Sequence, residues 1–259
     1  MIDTHTHIVP GADDGARDLA QSLGLARAAV RSGVTGAIAV VHALGPDHLP
    51  RDAACERLGA LMEELRARDM ELDLTLAYEV DALWAEELDV EEMRGLAVGG
   101  EGRVLILETP HVAWPRRMED LVFRLRVRGM VPVLAHPERN PYVQTHPEVL
   151  SALVSQGAVV QLTAPSILGA FGRAAQQTAL RHLMRGDVAL LASDAHYARR
   201  EKADLLAAVR RLSALLPGVA ISRLVTENAT CVLAGREPQS LPRVGAGGRL
   251  SARLRGLFS

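Results

Sequence analysis

Cysteine is almost absent: Cys55 and Cys231 are the only two in 259 residues. They lie far apart and form no CxxC pair, which argues against a disulfide framework or a thiolate zinc site and fits a reducing cytoplasm. An excess of charge of one sign is also lacking. With 29 Lys and Arg against 31 Asp and Glu, the formal net charge is −2, so no global field recruits nucleic acid, and an anionic partner must be held by local groups. Long apolar runs are missing too. No window approaches the roughly 18 uncharged apolar residues of a membrane span, and MIDTHTHIVPGADDG at the start has no basic segment followed by an apolar stretch. Neither export nor membrane spanning is therefore predicted, and the expected location is the cytoplasm. What is present is ordinary for a globular chain, with 48% apolar and 23% charged residues, in a length that accommodates one large α/β domain or two small ones.

Short apolar runs separated by helix-period segments give a repeating strand and helix pattern up to about residue 216. The predicted strands are 1–4, 37–41, 72–77, 104–107, 131–135, 159–162 and 188–192. Amphipathic helices are read between them, beginning with the stripe Leu19, Leu23, Ala26 and Val30 closed by Gly33. Further helices are read at 51–68, 118–129, 146–156, 173–186 and 201–215. Continuous Val/Ile/Leu strands alternating with helices imply parallel strands buried on both faces, hence a doubly wound sheet or a (β/α) barrel. The main domain is expected over 1–242, and 243–259, Gly-rich with Arg249, Arg253 and Arg255, reads as a basic tail. The GGEG string at 99–102 precedes a strand and no helix follows it, so it is a turn and not a dinucleotide loop.

The informative feature is what stands at the strand ends: His5 and His7, then His42, Glu79, Glu108, His136, and finally Asp194 with His196. In barrel enzymes the C-terminal rim of the strands gathers side chains from distant sequence positions around one point. In an extended HxH, residues i and i+2 share a side, so His5 and His7 can address one ion, and Asp194 and His196 repeat the spacing. Asp13 and Asp14 follow in a Gly-flanked loop that could swing over the same rim, with Asp13 read as a solvated loop residue in preference to a supporting acid. Any one of these residues has an ordinary structural explanation, but burying so many ionisable groups without a cation costs several kcal/mol each. Imidazole plus carboxylate suits manganese, zinc or iron, and a carboxylate can bridge two ions. His48, His111, His146 and His182 lie off the pattern and are read as non-ligands, His111 being the closest to an exception.

These motifs resemble the PHP (polymerase and histidinol phosphatase) superfamily, whose signature is an HxH, a later His, a Glu, a further His and a terminal DxH. The strings HTHIVPGADDG, LAHPERN, GAVVQLTAPSILGAFG and SDAH look like the capsule-locus, CpsB/CapC-type metal-dependent protein tyrosine phosphatases, over the chain from Met1 to about Leu233. The resemblance implies a distorted (β/α)7 barrel, the PHP fold, which agrees with the seven strands read independently. By motif position it implies that His5, His7, Glu108 and Asp194 surround one ion, with Glu108 bridging to a second that Glu79 and His136 complete. A third would sit near Asp14, His42 and His196. It implies two or three divalent ions, manganese favoured over zinc or iron, and a phosphotyrosine protein substrate, the tyrosine-rich tail of a polysaccharide-export kinase.

Arg139, three residues after a ligand-type His, would offer a planar donor fork to phosphate. His196 is a candidate proton donor, and Arg199 or Arg200 could serve as a further phosphate contact, the register after DAH being ambiguous, with Arg200 carried as the named candidate. Two departures stand out: Ala43 follows His42 where the family has a second His, and Tyr197 follows DAH where it has Asn. The Cys-dependent phosphatase route needs Cys, five residues and Arg, whereas Leu61 and Glu237 occupy those places after Cys55 and Cys231. Rival readings are a small-molecule PHP phosphatase of the histidinol-phosphate type and a metal-binding, non-catalytic regulator of polysaccharide export. An amidohydrolase would often want a strand Lys, and the only Lys is Lys202 in a helical segment. A homo-oligomer is compatible with any of these readings.

Overall fold

The computed structural model describes residues 1–100, 102–111, 113–197 and 203–244. The expected tail with Arg249, Arg253 and Arg255, and likewise Arg199, Arg200 and Lys202, lie outside the described residues. Seven strands, β1 (Ile2–Thr6), β2 (Gly36–Ala43), β3 (Asp73–Asp81), β4 (Val104–Glu108), β5 (Val131–Ala135), β6 (Val159–Thr163) and β7 (Val188–Ala192), pair in sequence order and all in parallel. Helices such as Leu19–Arg31, Arg51–Arg66, Met118–Val127 and Gly172–Arg185 return the chain between strands. The first is capped by Asp18, which accepts from Gln21 N at 2.8 Å, and ends at Gly33, where φ of +79° favours a residue without a side chain.

The strands curl into a distorted (β/α)7 barrel, closed mainly at its C-terminal rim. Asp194 N donates to His5 O at 2.9 Å and His7 N to Ala195 O at 3.0 Å. The buried Asp3 carboxylate accepts from Ser193 N at 2.9 Å and ties the same seam. Farther down, the seam is covered by helix Glu227–Leu233, whose buried Asn228 donates to Ala189 O of β7 at 2.7 Å. The last described residues pack on β7 and the helix before it, through Leu241 N to Val188 O and Val244 N to Met184 O. No helix among the described residues is long and apolar enough to cross a membrane.

Two apolar cores result. The larger lies between strands and helices, and a smaller one fills the barrel lumen with Ile38, Val40, Ala77, Val104, Ile106, Val131, Val133 and Ala135. Period-2 alternation carries the lumen face of β2 from Ile38 and Val40 to His42, of β3 from Ala77 to Glu79, and of β4 from Val104 and Ile106 to Glu108. The barrel therefore has an apolar floor and a polar top layer.

The strands at β1, β2 and β3 run longer than their apolar runs. His5, His42 and Glu79 lie within strands that continue to Thr6, Ala43 and Asp81, and not just beyond them as expected. A polar side chain ends an apolar run in the sequence, but the backbone ladder continues beneath it: His42 is paired with Glu79 and Ala43 with Val80. Short helices Ala82–Ala85, Val90–Leu96, Pro141–Thr145 and Ala164–Leu168 were not foreseen. Three of them are only four or five residues long, too short for an amphipathic period to show, whereas Val90–Leu96 carries a short apolar stripe of Val90, Met93 and Leu96 behind an Asp89–Glu92 capping box.

Candidate metal centre

All nine residues read as ligands, His5, His7, Asp14, His42, Glu79, Glu108, His136, Asp194 and His196, fall into overlapping groups whose ligand-type atoms lie within 4.8 Å of one another. Glu79 is at the middle and fully buried. Its Oε2 is 3.2 Å from His5 Nε2, 3.3 Å from His7 Nε2 and 3.3 Å from His42 Nδ1, while Oε1 is 2.7 Å from His136 Nε2. Burial pushes this carboxyl up, but the imidazoles of His5 and His136 outweigh it and hold the group well below the ordinary carboxylate range.

This grouping differs from the one the resemblance implied, in which Glu108 joined His5, His7 and Asp194. Here His5, His7 and Asp194 form one group, His5, Glu79 and His136 another, and Glu108 joins His42 and Glu79. Strand register explains it. Glu79 is paired with Ile106, and Glu108 with Asp81, so Glu108 stands two residues, about 6.6 Å of strand, nearer the mouth. Its side chain is 15% exposed against 0% for Glu79, and its Oε2 is 3.5 Å from His42 Nδ1. The mouth-side group is His7, Asp14, His42 and His196, with Asp14 Oδ1 at 3.1 Å from His196 Nε2 and 3.4 Å from His42 Nε2. Those two imidazoles hold the Asp14 carboxyl far below its usual value, although its side chain is 65% exposed.

Two site residues have left-handed backbone, His136 with φ +38° and Asp194 with φ +49°. Ala135 already faces the lumen, so regular alternation would turn His136 outward. The left-handed turn aims it back onto Glu79, an arrangement costly for a residue with a Cβ and found where a site over-determines it.

Asp13 corrects the sequence reading. It is not a solvated loop residue: its side chain is 7% exposed, with Oδ2 2.8 Å from His7 Nδ1 and accepting from His42 N at 3.1 Å. This fixes the His7 ring with Nε2 toward the cluster, the usual task of a carboxylate behind a ligand histidine. Burial alone would depress His7, but the hydrogen bonds to Asp13 and Glu79 push it up to about 9. His42 is pushed up to about 11, Asp14 and Glu108 overcoming its burial. His5 is oriented the same way by Gln161, whose Oε1 lies 2.9 Å from His5 Nδ1 while its amide donates to Thr4 Oγ1 at 2.8 Å. Gln161 lies on the lumen face of β6; it falls within a string that carries the family resemblance and is the one amide in the run VVQLT, but the sequence reading gave it no role.

Arg139 leaves the turn after β5 and pairs with Asp194, not with the adjacent Glu138. Its Nη2 also donates to Thr163 Oγ1 at 3.1 Å, and Thr163 in turn donates to Glu138 Oε1 at 3.1 Å. Arg139 Nε is buried with no partner among the described residues. Of the histidines read as non-ligands, His182 pairs with Asp187 at 2.7 Å, His146 stacks on Tyr142, and His48 packs against Tyr78 and Trp84. His111 lies at the rim with its ring 5.5 Å from that of His136.

The donor set fits divalent cations. Carboxylates and imidazoles, most of them buried, converge from β1, β2, β3 and β4 and from the turns after β5 and β7, with the Nδ1 atoms of His42 and His136 lacking any hydrogen-bond partner among the described residues. Fold and site together define a parallel barrel with a candidate polynuclear metal centre at its mouth.

The chain belongs to the capsular polysaccharide synthesis CpsB/CapC family, whose model matches residues 1–234. Its relatives include the tyrosine-protein phosphatase YwqE of Bacillus subtilis, 33% identical over 90% of this chain and 91% of that protein. The tyrosine-protein phosphatase CpsB of Streptococcus pneumoniae is 25% identical over 76% of this chain and 83% of its own length. A solved structure from work on YwqE and CpsB, described as unique metal-dependent tyrosine phosphatases, matches with a TM-score of 0.83 at 32% identity, covering 94% of this chain and 100% of that one. A β-aspartyl dipeptidase from Fervidobacterium islandicum, with a TM-score of 0.56 at 15% identity, shares the fold alone.

Proposed function

We propose that the protein is a metal-dependent protein tyrosine phosphatase of capsule or exopolysaccharide biogenesis. The observation that carries this reading is the meeting of five histidines and four acids at one barrel mouth, beside an arginine whose buried Nε has no hydrogen-bond partner among the described residues. His5, His7, Asp14, His42, Glu79, Glu108, His136, Asp194 and His196 would hold two or three divalent cations, and oxygen and imidazole donors suit manganese, with zinc and iron as alternatives. Bound there, the cations would neutralise the charge of a phosphate ester and make a water acidic enough to serve near neutral pH.

The chain's own groups do the rest. Asp13 and Gln161 fix the rings of His7 and His5. Arg139, tethered by Asp194 and Thr163, presents Nε to a non-bridging phosphate oxygen, and Arg200 is proposed as a second phosphate contact. A tyrosine phenolate, whose phenol ionises near about pH 10, leaves more readily than an alkoxide, so little acid assistance is needed. His196, hydrogen-bonded to Asp14, is the group proposed to return the proton. The substrate proposed is the phosphotyrosine tail of a polysaccharide-export kinase, in the cytoplasm, where two free cysteines are at home.

The test is metal-stripped protein reloaded with manganese, zinc or iron and offered a phosphotyrosine peptide, a phosphoserine peptide and histidinol phosphate. Metal-dependent turnover of the phosphotyrosine peptide above the other two is expected. Preference for histidinol phosphate would make it a small-molecule phosphatase. Full metal occupancy without turnover of any ester would make it a non-catalytic regulator.

A further inference from the structure

The string TAPSILGAFG, residues 163–172, runs from the end of β6 around the rim, yet it contributes no atom to the groups of ligand-type residues. Its first and ninth residues both touch Arg139. Thr163 Oγ1 accepts from Arg139 Nη2 at 3.1 Å, and the Phe171 ring lies under the guanidinium, its centroid 4.0 Å from Arg139 Cζ. The segment between them is built to hold that spacing. Ser166 Oγ is 3.2 Å from Thr163 Oγ1, Ala170 N donates to Pro165 O at 2.8 Å, and Gln176 Nε2 donates to Ile167 O at 2.8 Å. Gly169, at φ +85°, turns the chain where a Cβ would meet Gln176 Nε2 at 3.2 Å.

We infer that Phe171 is a positioning residue for phosphate recognition, the flat support that fixes the plane of the Arg139 guanidinium. This rests on Arg139 being the anion-binding group proposed above. A guanidinium recognises phosphate through a fork of fixed orientation, so its plane decides whether Nε faces the anion. Asp194 and Thr163 both engage Nη2, so hydrogen bonds hold one end of the group and leave its Nε end free to tilt. The aromatic face beneath Cζ removes that freedom and favours the cation without competing for its donors. Nε is left buried and without a partner among the described residues, and it is the donor this inference assigns to the anion. The arrangement accounts for an aromatic at 171 in a strand-end segment that holds no ligand.

The experiment is a double-mutant cycle on the manganese-loaded protein with F171L, R139A and the combination, alongside F171Y and F171M. Inorganic phosphate binding by calorimetry is the primary readout, with kcat and KM on a phosphotyrosine peptide as the second. F171L and F171M should weaken phosphate binding and raise KM roughly 3- to 30-fold, the range of a partly buried cation–aromatic contact, with metal content and Tm near wild type. F171Y, which keeps the face, should bind like wild type. In the R139A background F171L should change nothing further, because the support then has nothing to hold. A loss of the same size with and without Arg139, or an F171Y as defective as F171L, would overturn the inference by making Phe171 a general packing residue. Wild-type protein that binds no phosphate would overturn it as well. Wild-type protein that binds phosphate in the expected pattern but turns over no ester would sink the phosphatase reading alone.

Discussion

Glu79→Gln replaces the central carboxylate by its isostere, so packing is conserved and charge is what changes. Glu79 is fully buried, with His5 Nε2 at 3.2 Å, His136 Nε2 at 2.7 Å, and His7 and His42 nitrogens each at 3.3 Å. Hydrogen bonds to a charged group contribute roughly 1.5–3 kcal/mol each. The amide keeps one acceptor but turns an NH2 toward an imidazole, so metal-free E79Q should lose about 2–4 kcal/mol, or about 5–15 °C in Tm for a domain of this size. The loss under metal should be of another kind. Neutralising the one acid common to the His5 and His136 group and to the His42 and Glu108 group should cost at least one bound ion per chain and more than about 100-fold in kcat/KM, beyond the range for a residue that only supports a ligand. Metal content by mass spectrometry and calorimetric melting of both forms read these outcomes. An E79Q protein with wild-type metal stoichiometry, affinity and turnover would refute Glu79 as the hub of the centre.

Asp13→Asn should lower metal affinity about 10- to 100-fold with little change in fold, since it frees the His7 ring that Asp13 orients at 2.8 Å; titration of the stripped protein measures it. Gly15→Ala should destabilise by about 1–3 kcal/mol and weaken metal binding together, because the new Cβ would meet His7 O at 2.3 Å and His7 Cβ at 2.4 Å; a stable, fully metallated G15A would contradict the packing. The metal-free protein should lose stability as pH rises from about 6.5, the unfolded imidazole value, through about 9, where His7 titrates in the folded chain. The raised pKa means the folded state holds that proton more tightly, so its contribution is complete below the window and gone above it. Metal uptake must expel the same proton and should tighten across the same range, seen as proton release in calorimetry in two buffers; a flat affinity would contradict it.

The alternation of β-branched and aliphatic runs with amphipathic helices was enough to place seven strands, because strands buried on both faces and helices buried on one differ in period. Their ends were less legible where the lumen turns polar. At His42 and Glu79 the apolar run stops but the ladder does not. The ligand-type residues could be picked out one at a time, since HxH and DxH put alternate side chains on one face of an extended chain.

Which of them stand together was decided by the barrel. A two-residue offset between β3 and β4 set Glu79 deep among the histidines and Glu108 nearer the mouth, and register between strands is a property of pairing that one strand's sequence does not carry. The left-handed turns at His136 and Asp194, the use of Asp13 and Gln161 behind His7 and His5, and the meeting of Phe171 with Arg139 are likewise products of how strands and loops pack together. Residues far apart along the chain become neighbours only when the strands that carry them pair side by side. Periodicity, element types and the chemical character of each strand end follow from local order along the chain, because these depend on neighbours a few residues away. Tertiary structure alone decided partners, depth and orientation, because a side chain's electrostatic surroundings are set by whatever the fold packs within a few ångströms of it.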